Sequence, residues 1–383
     1  MSISEKLGSP PFLPHVKISP SMHELSLTIT VATPMVGGEV EAGIVDDNMP
    51  VRVPSIRGHL RYWWRMMNLS NPSKGTRESE IWGSTENPSQ VYADVPKQPN
   101  VLLRYCDNNF DFRDKFGPEI YALFASRQNR QNIARENFSF TLTLKYPQEY
   151  HDDVRLTLSA WLYFGGIGAR TRRGCGSLSC DKNPADLHEI LRAALYITLW
   201  KKRANDNLLV WSYAVKRYMD YRQNRNGKFG RSKWPEADSL RHMTGKYPQK
   251  HKPRDYLPLP SFPRAALGLP IIFQFSPDDK HSEPHGVQLI PKIEGSCRMS
   301  SPVITKALRY NGAWYSAVII LPHDEIFGTK LKLVTPLRLT HTEDMRPLNS
   351  GDYTNLEATQ RLSDAISGFE KYISGDFTRE AVR

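Results

Sequence analysis

Gly165-Gly-Ile-Gly-Ala-Arg-Thr-Arg-Arg-Gly-Cys-Gly-Ser-Leu178 decides how this chain is read, because five glycines and three arginines fall in fourteen positions. Glycine lets a backbone take positive φ and come within hydrogen-bond distance of a ligand, while arginine presents a fork of donors that matches phosphate oxygens. A polyanionic backbone is the natural ligand, with Gly165, Gly166, Gly168, Arg170, Thr171, Arg172, Arg173 and Gly174 as candidate contacts. Read from Gly166 as G-x-G-x-x-G, the run ends on Thr171. No G-x-x-x-x-G-K-[ST] fits, and a helical pattern rather than a strand precedes it, so the run is not a nucleotide fingerprint. The alternative is an ordinary glycine-rich connection with solvated arginines.

Upstream, Val154, Leu158, Trp161 and Leu162 have helical spacing after the capping-type Asp152-Asp153, and this helix runs straight into the glycine/arginine stretch. A strand follows near Ser177–Cys180. Leu25, Leu27, Ile29 and Val31 alternate with Ser26, Thr28 and Thr30 as a half-buried strand that stops at Thr33-Pro34. Phe138, Phe140, Leu142 and Leu144 alternate in the same way. Val91–Val95 and Val101–Cys106 read as short strands, and 107–136 as polar and irregular, with a helix around Ile120–Ser126. The order β-α-β-β-α-loop-β is that of a ferredoxin-like unit.

The first helix of that order lies within Val51–Met67, after a loop holding Gly37, Gly38 and Gly43, with Ser55 as a fair N-cap. At about 100° per residue, Ile56, Leu60, Trp63, Trp64 and Met67 share one arc, which is core. Arg57, Arg61 and Arg65 form the adjacent arc, with Gly58 on their side. No Asp or Glu occurs from Arg52 through Arg77, so these arginines lack local ion-pair partners. A glycine inside a helix costs about 1 kcal/mol against alanine, which points to a close backbone approach there. Anion binding by Arg52, Arg57, Arg61 and Arg65 is therefore weighed above a solvated flank.

Residues 185–224 read as one or two helices, through Leu187, Ile190, Leu191, Ala194 and Leu195 and then Leu208 to Tyr221. From Lys201 to Arg264 sixteen Lys/Arg stand against five Asp/Glu, an excess of eleven that equals the +11 of the whole 383-residue chain. Tyr221, Phe229, Trp234, Tyr247 and Tyr256 interleave with these charges, which suits either stacking on unpaired bases or packing on a partner. A second strand-rich half contains Leu269–Phe275, Val303–Leu308, Ala313–Leu321 and Lys330–Leu339. Leu356, Leu362, Ile366, Phe369 and Ile373 close the chain as an amphipathic helix.

The positive balance favours nucleic acid or an acidic surface as partner. Cys106, Cys175, Cys180 and Cys297 form no C-x-x-C pair and have no His at ligand spacing, against a zinc site and a disulfide framework. Neither metal nor cofactor is expected. The first residues lack the apolar region of a signal peptide, and no apolar run approaches a membrane span, so a soluble cytoplasmic protein is expected.

Taken together, these blocks resemble the RAMP superfamily, the ferredoxin-like RNA-binding subunits of CRISPR systems, whose glycine-rich loop lies between the second helix and the last strand. More narrowly, Thr33-Pro-Met-Val-Gly-Gly38, Pro54-Ser-Ile-Arg-Gly-His-Leu-Arg-Tyr-Trp-Trp-Arg65 and Gly165–Gly174 are similar to the family of first-numbered subunits of the Cmr (type III-B) effector complex. Pro263-Arg-Ala-Ala-Leu-Gly-Leu-Pro-Ile271 and Arg298-Met-Ser-Ser-Pro-Val-Ile-Thr305 add matching segments in the second half. The 107–136 and 205–260 segments match nothing.

The resemblance implies an α+β protein of two ferredoxin-like (RRM-like) RAMP domains, each βαββαβ, with helical and irregular insertions. The divisions expected are 1–182, a helical and basic insertion or linker over 183–264, and 265–383 completed by the closing helix. It also implies an RNA-binding subunit that caps the 3′ end of the guide RNA, helps admit target RNA beside the subunits numbered six and four, and does not cut RNA. Arg298 joins the candidate contacts on this ground. The rival reading is a metal-independent RAMP endoribonuclease that processes guide precursors with a general-base histidine. His59 is the nearest candidate, but it sits across the apolar arc from the arginines, and neither His15, His23 nor the His151-Asp152 pair has a partner visible in sequence.

Overall fold

In the computed structural model the described residues are 21–37, 43–46, 48–69, 73–86, 88–98, 101–105, 121–123, 132–194, 196–223, 232, 234–246, 261–275, 283–284, 286–323, 329–334 and 362–381. The alternating stretch that ends at Thr33 forms β1 (Met22–Val31), which buries Leu27, Ile29 and Val31 and exposes Ser26 and Thr28. After the short β2 (Met35–Val36) the chain enters α1 (Val53–Met67) and α2 (Lys74–Trp82). Next come β3 (Tyr92–Asp94), β4 (Leu103–Tyr105), β5 (Asn132–Ala134) and β6 (Phe138–Pro147). The helix α3 (His151–Phe164) leads into the glycine/arginine loop and β7 (Leu178–Ser179).

β1 and β6 pair antiparallel along their whole length, and the four-stranded sheet runs β3-β6-β1-β7. Helix α1 starts three residues earlier than the Ser55 cap implied, with Arg52 extended at its N-cap and proline in its first turn, where a missing N–H costs nothing. Its apolar arc is core: Ile56, Leu60, Trp63 and Trp64 are buried, and Trp64 Nε1 donates to Asp153 at 2.8 Å. The expected strand over Val101–Cys106 exists as β4, but it joins a separate small sheet, β2-β5-β4. Most of 107–136 lies outside the described residues, which hold a helical turn at 121–123.

The second half begins earlier than the sequence pattern implied. Following α4 (Leu187–Ala193), residues expected to be helical form β8 (Thr198–Ala204), and α5 (Asn207–Gln223) then lies across the sheet that β8 enters. There follow α6 (Glu236–Thr244), β9 (Ile271–Phe273), β10 (Val287–Pro291), β11 (Val303–Tyr310), β12 (Ala313–Ile320), β13 (Leu331–Val334), α7 (Leu362–Ile373) and β14 (Thr378–Arg379). β13-β10-β9 is a small sheet, and the main one runs β11-β12-β8-β14. Taking β8, α5, β11, β12, α7 and β14 in order reproduces the β-α-β-β-α-β pattern of the first half. In each half the spatial order of the strands is second-third-first-fourth. Residues 198–223 are thus not linker: they supply the first strand and first helix of the second unit.

β11 and β12 are covered on both faces, which is why their alternation was invisible. Ile304, Leu308, Ala317 and Ile319 join the core of the first sheet and its helices, while Val303, Val318 and Ile320 share a second core with α7. Of the mid-chain aromatics, Tyr221 and Trp234 pack against that second core. Tyr221 lies 5.2 Å from Phe369 and meets Trp234 edge-on at 5.3 Å, so neither is offered to bases, whereas Phe229, Tyr247 and Tyr256 lie outside the described residues. Much of the basic excess is likewise satisfied internally: Lys201 pairs with Glu380 at 2.6 Å, Arg241 with Asp238 and Glu283, and Arg217 with Asp376.

One charged group sits between the two sheets. Lys306 of β11 is completely buried, and its Nζ donates to the carbonyl oxygens of Gly165 at 2.8 Å and Leu162 at 3.2 Å, at the C-terminus of α3. Burial pulls its ammonium down to about 7. The unfolded chain then binds more protons than the native one from about pH 7 up to the ordinary lysine value, so stability must rise with pH across that window. Thermal melts from pH 6.5 to 9.5 should show that rise in the native protein, and a flatter profile in Lys306→Met.

Candidate nucleic-acid interface

The glycine/arginine loop is locked by backbone contact before any arginine acts. Thr33, fully buried, donates from Oγ1 to the Gly174 carbonyl at 2.6 Å and accepts from the Ser177 N–H at 2.8 Å. Gly176 N–H donates to the Pro34 carbonyl at 2.9 Å, and Ala169 N–H donates to that of Val36. Gly168 and Gly174 have φ of +80° and +75°. A Cβ on Gly174 would lie 2.5 Å from the Trp211 ring and 2.6 Å from the Thr305 carbonyl, and one on Gly168 would lie 2.6 Å from the Val36 carbonyl. At Gly165 it would strike Trp161 and Trp63, and at Gly166 the Gly176 carbonyl at 2.9 Å. These glycines admit neighbouring protein rather than a ligand.

The arginines of the loop divide. Arg173 donates to the carbonyls of Val303 at 3.0 Å and Arg172 at 2.8 Å and to the Tyr218 hydroxyl at 2.7 Å, and lies over the Tyr218 ring at 3.9 Å. Burial pulls its guanidinium below the ordinary value. Arg222 donates to the same hydroxyl at 3.3 Å. Burial alone would raise that phenol, but the two guanidiniums outweigh it and leave Tyr218 below its ordinary value. Arg172 bridges the halves, donating to Tyr62 Oη of α1 at 3.1 Å and to the Ser301 carbonyl. Arg170 sits in the left-handed region at φ +59°, exposed, with one bond to the Ala122 carbonyl at 2.8 Å. Thr171 opens the 3-10 turn Thr171–Arg173.

On α1 the expectation of unpaired arginines fails at two positions. Glu78 of α2, one residue past the acid-free stretch, accepts from Arg65 at 2.6 and 2.7 Å and from Arg61 at 2.8 and 3.1 Å. Hydrogen bonds from Arg65, then Arg61, hold its carboxyl below the ordinary range despite burial. Arg57 is exposed, and a Cβ on the neighbouring Gly58 would meet nothing within 4 Å, so the helix backbone is bare there. Arg298 is exposed near the Leu269–Met299 bridge. Among the described residues no carboxylate lies within ion-pair reach of Arg52, Arg57, Arg170, Arg172, Arg173 or Arg298. Through Arg172, the α1 face, the loop and the Ser301 segment form one connected region.

His59 lies beside Trp161 with ring centroids 6.2 Å apart, and burial lowers its pKa, as befits a packed histidine. A grouping that sequence did not show lies elsewhere: the rings of His23 and His151 meet edge-on at 4.6 Å, and Tyr146 Oη is 3.3 Å from His151 Nδ1. Only the register of β1 against β6 brings them together. Cys175 is buried, its thiol pushed up to about 12 by desolvation.

Residues 28–179 match the RAMP superfamily. That match covers the first sheet with its helices and the glycine/arginine loop, and over nearly its full length the chain has the fold of Cmr1. The crystal structure of Cmr1 from Pyrococcus furiosus in its apo form superposes with a TM-score of 0.54 at 16% identity, covering 94% of this chain and 98% of that one. In sequence, CRISPR system Cmr subunit Cmr1-1 of Pyrococcus furiosus is 28% identical over 156 residues, 37% of this chain and 44% of that protein. The aligned region thus spans less than half of that relative. A chain in the cryo-EM structure of the type III-B Cmr-beta complex bound to cognate target RNA matches with a TM-score of 0.44 at 14% identity, over 78% of this chain and 94% of that one.

Two glycines should separate scaffold from surface. Gly174→Ala should destabilise by about 2 kcal/mol or more, through positive φ and overpacking against Trp211. Gly58→Ala should stabilise by about 0.5–1 kcal/mol, as alanine does inside a helix, while weakening RNA binding if a strand approaches that bare backbone. Denaturant titration together with filter binding on the same preparations measures both.

Proposed function

We propose that this chain is the RNA-binding, non-catalytic subunit of a type III-B CRISPR (Cmr) effector complex, built from two ferredoxin-like RAMP domains. It caps the 3′ end of the guide RNA and helps admit target RNA, meeting the subunits numbered six and four. The observation that carries the reading is the set of exposed guanidiniums at Arg57, Arg170 and Arg298, free of carboxylates among the described residues and joined across the halves by Arg172. Such groups hold phosphates and shape, leaving sequence to base pairing in the guide. The name of the Pyrococcus furiosus relative supports the assignment to a Cmr complex. Gly165, Gly166, Gly168, Gly174, Arg61, Arg65 and Arg173 hold the interface in shape, and Arg52, Arg57, Arg170, Arg172 and Arg298 form its contact face.

Each phosphate contact releases counterions and contributes about −0.7 to the slope of log K against log[salt] for single strands. Replacing Arg57, Arg170 and Arg298 by alanine should flatten that slope by about 2 and lower affinity evenly across unrelated sequences, with the melting temperature unchanged. An unaltered slope would end the phosphate reading.

The His23–Tyr146–His151 grouping keeps a second reading in play, a metal-independent endoribonuclease. Guide precursor and complementary target incubated with the full chain, with and without Mg²⁺, should remain intact. Cleavage that disappears in His151→Ala would establish the enzyme instead.

A further inference from the structure

The first sheet has a second face, turned away from α1 and α3. Because β1 and β6 are in full register, the residues alternating with the core positions line up across it: Ser26 opposite Thr143, Thr28 opposite Thr141, Thr30 opposite Ser139, with Ser179 of β7 beside Thr30. Two of these pairs hydrogen-bond to each other, Ser26 Oγ with Thr143 Oγ1 at 3.1 Å and Thr30 Oγ1 with Ser139 Oγ at 2.8 Å. No helix covers this hydroxyl surface among the described residues.

Where the face reaches β7 it meets the second sheet, and the junction is a groove of about 420 Å³. Its floor carries Thr28, Thr30 and Ser179, and its far wall carries Arg309 and Trp314, a directly paired position on the β11–β12 hairpin. Lys182, exposed, stands at the rim. Trp314 is half-buried, with the Arg309 guanidinium 5.5 Å from its ring centroid. The one acidic lining group, Asp181, lies 3.5 Å from Arg309 with its side chain 84% exposed, a pair of little energetic weight.

We propose that this groove holds one unpaired nucleotide of a bound RNA strand, its base stacked on Trp314, its edge read by the hydroxyl row, and its phosphate held by Arg309 and Lys182. The chemistry favours a nucleotide over a peptide. An indole flanked by a guanidinium takes the π-face of any base, hydroxyls serve both donors and acceptors on a base edge or a 2′-OH, and the two cations exceed the one carboxylate. The volume falls within the range of about 300–1,000 Å³ typical of small-ligand sites, enough for one nucleotide and far too small for a duplex. The inference rests on the RNA-binding reading but uses a different face of the molecule from the loop arginines.

The test is photocross-linking of the full chain to single-stranded RNA carrying one 5-iodouridine, followed by digestion and mass spectrometry, with free 5-iodouridine monophosphate as a parallel arm. A cross-linked peptide containing Trp314 is expected with RNA. Its yield should fall by about fivefold or more in Trp314→Leu and be restored toward native in Trp314→Phe, which keeps a stacking ring. Arg309→Gln with Lys182→Gln should reduce the cross-link without altering the thermal melt, guarding against a misfolded Leu variant. Cross-links confined to α1 and the glycine/arginine loop would overturn the proposal and leave the RNA-binding reading standing. Absence of any RNA binding would bring down both. Labelling of Trp314 by the free nucleotide and not by RNA would show a mononucleotide site and refute the strand assignment.

Discussion

The glycine/arginine loop can lie between two sheets only because backbone meets backbone there. Thr33 ties the end of β1 to Gly174 and Ser177 through a single hydroxyl that both donates and accepts. That bond requires Gly174 and Gly176 to turn with positive φ, and a side chain at Gly176 would sit 2.0 Å from the Ile167 carbonyl. With the backbone so placed, the guanidiniums of Arg172 and Arg173 are delivered to the carbonyls of Ser301 and Val303. The joint between the halves is therefore made of carbonyls, phenols and guanidiniums. Buried polar groups are costly when unpaired and strong when satisfied, which makes such a joint specific in geometry.

Seen this way, the residue types that signal phosphate recognition and those that build a tight protein joint are the same types. Glycine for close approach and arginine for forked donation serve a carbonyl as well as a phosphate oxygen. The face available to a ligand is what remains after the joint has taken its share: Arg57 and Arg298 entirely, Arg170 in part, Arg172 along one edge. The same subtraction applies to the mid-chain basic region, where Lys201, Arg217 and Arg241 have carboxylate partners on distant elements.

The first βαββαβ unit was legible because each strand has one wet face. Ser26, Thr28 and Thr30 announce β1 as clearly as its apolar residues do, and the arc of Ile56, Leu60, Trp63 and Trp64 announces α1. The second unit hides its beginning. Thr198–Ala204 is half-buried along most of its length, with Lys201 and Lys202 held by Glu380 and Tyr213, so its sequence shows no apolar alternation, and the apolar spacing of Leu187 to Leu195 extends a helical pattern toward it. Glu78 was missed by a single position at the edge of a window. The His23–His151 contact and the Trp314 groove depend on strand register, which no local pattern encodes. Lys306 reads in sequence as one more surface charge on a strand, and only the packing of β11 against the end of α3 turns it inward.

The reliance of the loop on the second half has a consequence for the order of events as the chain is made. When residues up to Leu178 have left the ribosome, the guanidinium of Arg173 has neither Tyr218 nor Val303 to meet, and the end of α3 still waits for Lys306. The first unit must persist with its most polar edge solvated until more than a hundred further residues have been synthesised. Docking of the two units then expels that water, and the side chains of Arg172 and Arg173 find their partners only as the joint closes. The joint that Arg172 and Arg173 make with Ser301 and Val303 is thereby a late product of biosynthesis, and a chain cut short anywhere before β11 would not possess it.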